Sequence, residues 1–501
     1  MKSNRGDRIG ARPKNAGSSA WPHWRLPPHS MSDRLCGRRG TSRYAIGLLS
    51  LFCGGLLLSL FGCSESSDIR LRKILASRTT GVVYLPPGTI EISEELTLAR
   101  GAHDLTISGP NTTLKASDRF HGRAILCGEE VQHIRLLGFS VDGNRSVLAK
   151  PLEMAPSENY FRVYYQNNGI LFDRADSVDI SGVHFSNVTN FAVLVSRSSG
   201  IRLDHLYVSD SGSLNKRGRN NTTGGIVIEE GSSDFDVRDC RFLRIRGNAL
   251  WTHSMYRSPR SWHGTFTANN FDRVGRDAVE VGHARDVRVA ENAGSNIGYP
   301  TEIIDAENGG VPVALDTAGN VDHAIYERNR FEEVDGKCID LDGFHDGSVI
   351  ENQCVDRRTA ADYPFGQFGI VMNNSNPDMQ SENIEIINNR IDGMKFGGLF
   401  LIGSGHRVIG NVFSHMNTAG CNENAKLFGC IFKQDEPEML EAGIYVGRGA
   451  ERPANTHDNV VRQNRISGHM MKTRCVIFAP GVSRRSNAIE GNQCFDDRPL
   501  P

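Results

Sequence analysis

Charge of either sign is not in surplus: 57 Lys and Arg face 58 Asp and Glu, for a formal net charge of −1. That balance favours neither nucleic acid nor an anionic membrane surface as a partner. Aromatic residues are few, at 8%. No Cys-x-x-Cys pair occurs, which removes the usual zinc-site spacing. Long apolar runs are missing except for one, Tyr44–Cys63. What the chain does have is glycine, 53 residues in 501, a composition that fits many turns and few long helices. The length allows two or three ordinary domains, or one elongated repeat array.

Arg34, Arg38, Arg39 and Arg43 precede the apolar run, so the segment has the basic-then-apolar order of a secretory signal. Its end, Leu60-Phe61-Gly62-Cys63, resembles the bacterial lipobox. The resemblance implies cleavage and lipidation at Cys63, and an extracytoplasmic place at the outer membrane, periplasm or cell surface through a lipid anchor. A plain membrane span is the other reading of a run this long. Residues 1–30 read as an extension upstream of Met31. The chain then divides into extension and signal peptide (1–63), linker and capping helix (64–80), solenoid (81–496) and tail (497–501). Three of the 11 cysteines fall in the leader, which leaves eight, an even number where disulfides form. Cys338/Cys354 and Cys475/Cys494 have similar separations, and Cys421 with Cys430 could close a local loop; the connectivity stays open.

Repeats organise the rest. A short apolar strand, then Asn, one residue, and Phe, Ile or Cys recurs around Asn270, Asn292, Asn329, Asn352, Asn389, Asn411, Asn464 and Asn492. Successive intervals from Asn270 to Asn411 are 22, 37, 23, 37 and 22 residues. A coil of about 22 residues is therefore the unit, and alternate coils carry about 15 more. Such a coil cannot bury its apolar residues alone, so it stacks on its neighbours into one continuous core. Asparagine at a fixed turn position can hydrogen-bond to its copies above and below. Ser67 can cap a helix from Asp68 to about Arg78, and Gly81-Val-Val-Tyr-Leu-Pro-Pro-Gly-Thr-Ile follows it. This start and these coils resemble the pectate-lyase-like superfamily. The resemblance implies an all-β fold, a right-handed parallel β-helix forming a single solenoid, with a short N-terminal capping helix and long loops on alternate coils. Those loops, Val147–Gln166, Leu214–Gly224, Asn296–Gly310, Arg357–Gly366 and Met416–Glu441, would project from one side and wall a groove.

One strand family carries the candidate chemistry. Aligning Gly169–Asp173, Ala192–Ser196, Gly225–Glu229, Ala249–His253, Ala278–Gly282, Cys338–Asp342, Gly369–Asn373, Gly398–Ile402 and Gly443–Gly447 places apolar residues inward at period two. Glu229, Trp251, His253, Glu280, Asp316, Asp340 and Asp342 then point outward, with His283, His345 and Asp346 in the following turns. Asn373 continues the face. Asp340, Asp342, His345, Glu280 and His253 are the candidate catalytic residues. Trp251, Glu229, His283, Asp316 and Asn373 are the candidate substrate-binding residues, and Asp346 the candidate ligand of a divalent cation such as calcium. Carboxylates can serve as acid, base or nucleophile, and tryptophan can stack on a sugar ring. Asp340 and Asp342 stand about 7 Å apart along a strand; Glu280 and Asp340 are two coils and roughly 10 Å apart.

Gly282-His283-Ala284 matches part of the Gly-His-Gly of polygalacturonases, and Asp342-Gly-Phe-His-Asp346 is similar to the Asp-Pro-His-Asp of mannuronan epimerases with one residue inserted and no proline. The expected function is a carbohydrate-active protein, expected as a monomer, acting on an acidic or complex polysaccharide by lyase, hydrolase or epimerase chemistry. The competing expectation is a non-catalytic β-helix that binds glycans or serves as an envelope scaffold.

Overall fold

The Ser66 hydroxyl accepts a hydrogen bond from the Ile69 N–H (3.4 Å) and starts a helix at Ser67–Ser77, so the cap lies one residue before the expected Ser67. Leu71 and Leu75 are buried on one face of this helix, which packs on the strands Gly88–Ile92 and Leu96–Thr97 and closes that end of the coil stack. The structure, a computed structural model, describes residues 66–497 apart from 157, 307–310, 376–378, 425, 427, 431–437, 450, 451 and 453. The leader and its Cys63 lie outside the described residues.

From Gly81 to Asp496 the chain winds through three sheets of 16, 14 and 13 strands. Two strands of the first sheet, Val321–Asp322 and Phe344–His345, lie off its main path, so each sheet takes about one strand from every coil. Neighbouring strands pair in parallel. The fold is the expected all-β right-handed parallel β-helix.

In the third sheet the partners run Ile170, Val193, Ile226, Leu250, Val279, Leu315, Ile339, Ile370, Leu399 and Ile444, all buried inside the coil. Burying one such side chain stabilises the fold by about 1.5–3 kcal/mol. Stacking supplies the burial that no single coil could provide.

The asparagines form the expected ladder. The Asn292 amide donates to Asn329 (2.9 Å), Asn329 to Asn352 (2.8 Å), Asn352 to Asn389 (3.0 Å), and the chain continues through Asn411 and Asn464 to Asn492. At the start of this run the ladder residue is Asn269 rather than Asn270, because Asn270 opens the next strand and is exposed. Each rung from Asn269 to Asn464 is buried, so losing one of these amides would leave its neighbours' polar groups unpaired at about 1–3 kcal/mol.

Three disulfides close the C-terminal half: Cys338–Cys354, Cys421–Cys430 and Cys475–Cys494. The other two described cysteines, Cys127 and Cys240, are free and buried. Cys338 lies in the third-sheet strand Lys337–Asp342 and Cys354 in the second-sheet strand Gln353–Val355, so the bridge ties two sheets within one coil.

The long insertions leave the second sheet and precede the third, and they join one another. The Leu152 N–H donates to the Leu214 carbonyl (2.9 Å), and Asn215 and Arg217 donate to Asp305 (2.6 and 2.7 Å). The Tyr299 hydroxyl donates to the Asp362 carbonyl (2.9 Å). These contacts tie the described parts of four insertions, at 147–166, 214–224, 296–310 and 357–366, to one another along the strand-entry side of the third sheet.

Candidate active site

Parallel register converts one outward position of the third sheet into a column along the solenoid axis. It runs Leu171, Leu194, Val227, Trp251, Glu280, Asp316, Asp340, Val371, Phe400 and Tyr445. Three acids therefore occupy three consecutive strands, spaced by about 4.8 Å, with apolar residues on both flanks. Asp277 joins them from the start of its own strand: ligand oxygens of Asp277, Glu280 and Asp316 all lie within 4.8 Å of one another. All four acids are buried.

Two cations sit among them, one buried and one partly buried. Lys337 donates to Asp340, and Arg276 pairs with Asp277 (3.1 Å). Burial opposes the charge on both cations, but the surrounding carboxylates outweigh it and hold each above its usual range. Four carboxyl groups against two fixed cations leave an excess of acid in a poorly solvated place, where an unpaired charge is costly. Protons supply the balance. Burial, reinforced by Asp277, pushes Glu280 up to about 8 against the opposing pull of Arg276 and Asn248. Asp316 is raised well above the carboxylate range by burial and then by Asp277, Asp340 and Glu280. Burial also brings Asp277 to about 6. Glu280 thus keeps a proton at neutral pH, and its Oε2 accepts a hydrogen bond from the Asn248 side-chain amide. Asp340 takes the Lys337 ammonium on Oδ2, and its buried Oδ1 has no hydrogen-bond partner among the described residues.

Asp342 follows on the same strand, but both its oxygens are engaged by Ser375, through the backbone N–H (2.9 Å) and the hydroxyl (2.6 Å). Burial and then Asp340 push it up to about 6. Asn373 is its strand partner on the next coil. His345 does not join the acids. Gly343 has φ +78°, a left-handed turn that glycine adopts without strain, and it sends Phe344–His345 into the first sheet. There His345 contacts Asp346 (2.8 Å) and Asn320 (2.9 Å), while Asp346 also accepts from Asn383 (2.9 Å).

Trp251 has the expected outward register, yet it does not line an open groove. The insertion around 150–166 folds over it, with the Phe161 ring 4.9 Å from Trp251 and stacked on His253 at 3.9 Å. Phe161, Tyr165, Phe191, Leu171, Leu194, Val227 and Trp251 make a second apolar core outside the coil. Glu229 is fully buried and accepts the Phe161 and Arg162 N–H groups (2.9 and 3.1 Å), which anchors that insertion. Burial lowers His253 to about 3, with His283 adding to the effect. His283 stacks beside Tyr256 at 4.9 Å. Arg217 and Arg260, loop arginines with the charge to meet a uronate, pair with Asp305 and Asp322 of this chain instead.

Asp277, Arg276, Lys337 and Asn248 complete the cluster without having stood out in the sequence. They lie where the chain turns into the third sheet, and strict inward–outward alternation does not hold at such a corner. A charged residue immediately before two of the small-residue strand starts, Asp277 before Ala278 and Lys337 before Cys338, was the available signal.

Asp277, Glu280 and Asp316 offer the oxygen donors that calcium takes, but Arg276 and Lys337 already stand among these acids as fixed cations, so the cluster does not fit a resident divalent ion. Asp346 belongs to no group of three such donors among the described residues. Two cavities, of about 370 and 200 Å³, open beside Arg197, Glu230 and Ser258 and beside Arg123, Arg162 and Asp173, apart from the acid column.

The architecture and the column define a right-handed parallel β-helix with an acidic site on the outer face of one sheet. Residues 157–318 and 313–493 match the family model described as right handed beta helix region, which covers more than half of the sequence, and the chain belongs to that family. No curated protein matches it. Among solved structures it is similar to the ORF18 protein of Geobacillus virus E2 (12% identity, TM-score 0.42, 59% of this chain and 55% of that one). It is also similar to the catalytic domain of a GH87 α-1,3-glucanase in complex with tetrasaccharides (14%, TM-score 0.45, 71% and 64%). A third likeness is to PfbA, a surface adhesin of Streptococcus pneumoniae (14%, TM-score 0.46, 77% and 82%). The chain spans less than two thirds of the first two of these proteins.

Proposed function

We propose that the protein is an extracytoplasmic, carbohydrate-active enzyme that hydrolyses a glycosidic bond of an acidic or complex polysaccharide at the Glu280–Asp316–Asp340 column. The observation that carries this reading is the column itself, an excess of buried acid on the outward side of a strand family whose coil packing requires none of it. Perturbed, partly protonated carboxyl groups of this kind mark functional sites more often than structural ones.

Glu280, protonated at neutral pH, donates its proton to the departing glycosidic oxygen as the C–O bond breaks. Asp340, paired with Lys337, takes a proton from the water that attacks the anomeric carbon from the other face. The two acids are separated by two strand steps, roughly 10 Å between backbones. The length of the glutamate side chain brings the carboxyls toward the roughly 6.5–9.5 Å used for inversion. Asp316 lies between them, facing the reacting ring. A lyase with His345 or His253 as its base is less well supported, because His345 lies in the first sheet and His253 is stacked under Phe161. Three disulfides support an oxidising compartment. A lipidated Cys63 would then hold the protein at the envelope, with polysaccharide as its partner.

The test is incubation of the purified protein with polygalacturonate, alginate, hyaluronan, dextran and a (1,3)-glucan, followed by proton NMR of the first product. New reducing ends with inverted anomeric configuration are the expected result. Unsaturated products would replace hydrolysis with elimination, and binding without turnover would leave a glycan-binding scaffold.

A further inference from the structure

We infer that Glu229, Glu230 and His253 bind one divalent cation of the zinc class, beside the acid column at the next outward position of the third sheet; the inference stands apart from the glycosidase reading. A carboxylate oxygen of each glutamate and one ring nitrogen of His253 all lie within 4.8 Å of one another. Parallel register sets Glu229 opposite His253 on adjoining strands, a step of about 4.8 Å. Successive residues of an extended strand face opposite ways. Glu230 escapes that rule because it has φ +59° and turns at the corner where the strand Ile226–Glu229 ends. Both carboxylates therefore reach the same histidine.

The charge at this corner changes sign from the two coils before it. There the left-handed corner residues are Arg174 and Arg197, and both pair with the buried Asp173, which Arg162 also approaches at 3.7 Å. Glu229 and Glu230 are buried as well, but neither takes part in an ion pair among the described residues. Glu229 accepts the Phe161 and Arg162 N–H groups and Glu230 the Met255 N–H (2.8 Å), dipoles that do not cancel two charges. Adjoining carboxylates held away from water call for a cation. His253 makes the set a ligand site rather than an acidic patch. Its buried Nδ1 has no hydrogen-bond partner among the described residues, and the Phe161 ring stacked on it at 3.9 Å fixes its plane. An imidazole beside two carboxylates selects zinc-class ions over calcium or magnesium, which take oxygen ligands. Zinc bonds of about 2.0–2.2 Å span ligands up to about 4.4 Å apart, so a small rotation of either glutamate closes the set. Three protein ligands leave a fourth position for water, and the cavity of about 370 Å³ that opens against Glu230 gives ion and water a way in. Binding also locks the helix Phe161–Tyr164 in place, since Glu229 holds its first N–H groups and His253 its leading ring.

The experiment is a calorimetric titration of the chelator-dialysed protein with zinc chloride, with calcium and magnesium chloride in parallel and thermal melting of each mixture. One zinc per chain is expected, with a thermal midpoint several degrees higher because the ion binds the folded form; calcium and magnesium should produce neither effect. Glu230→Gln removes a charge but keeps an oxygen for the Met255 N–H, and His253→Phe keeps the stack on Phe161 but removes the ring nitrogens. Each should weaken zinc binding by more than about tenfold, the least that loss of a supporting group costs a metal site, while the metal-free variant still melts cooperatively. No zinc uptake by a cooperatively melting wild-type protein would overturn the site. Uptake unchanged in either folded variant would assign the ion to other residues and overturn it equally. Calcium bound in preference to zinc would overturn the zinc class.

Discussion

Glu280→Gln is expected to lower kcat on a cleaved glycan by about 10³-fold, the scale of a lost general acid, with KM close to that of the wild type. The substitution replaces a carboxylic acid that is already neutral at pH 7 with a neutral amide of the same shape, so the thermal midpoint should stay within a few degrees. This separation of activity from stability is what makes the variant informative. Asp340→Asn should lose activity to a similar extent, but it also leaves the Lys337 ammonium without its direct partner, so its midpoint should drop. Equal activity of Glu280→Gln and wild type would remove Glu280 from the chemistry.

Lys337→Met should produce the largest loss of stability, about 3–5 kcal/mol, the cost of stripping one partner from a buried ion pair. The side chain is buried, donates to Asp340, and is further favoured by Asp316 and Asp342. Without it, three carboxyl groups on neighbouring positions lose their nearest cation. The double variant Lys337→Met/Asp340→Asn should recover much of the loss, because the carboxylate that Lys337 contacts directly is then no longer left unpaired. Chemical denaturation of the two single variants, the double variant and the wild type gives the coupling directly. An additive double variant would mean that the pair does not interact in the folded protein.

The solenoid was legible in the sequence because stacking imposes a period on everything it touches. Asn329, Asn352 and Asn389 recur at one turn because each amide bonds to the next. Ile339 and Ile370 recur at one strand position because both face the same core. The outward register follows from that alternation, so the sequence pattern already puts Trp251, Glu280, Asp316 and Asp340 on one outward face. Three things were not legible, for different reasons. The charges that complete the cluster, Asp277, Arg276 and Lys337, sit at corners where period two breaks down. His345 was drawn toward Asp340 by closeness in sequence, whereas the left-handed turn at Gly343 separates them into different sheets. The covering of Trp251 by Phe161 joins positions far apart in the chain through an insertion that has no counterpart on the coils around it, so no repeat could announce it.

The disulfides show the same division. Cys338 and Cys354 begin and end a single coil, so their pairing follows from coil geometry, and Cys475 with Cys494 repeats it at the last coil. Cys127 and Cys240 lie on distant coils and remain unpaired.

The most direct test of the account is the pH dependence of kcat/KM on a cleaved polymer, which reports the essential acid of the free enzyme. Burial raises Glu280 to about 8 from an ordinary value of 4.5, so the proton-bearing form persists through neutrality and is lost as the pH rises through about 8. A rate that holds across neutrality and falls on an alkaline limb near pH 8 is expected. A rate that continues level or rising through pH 8 to 10 would contradict it.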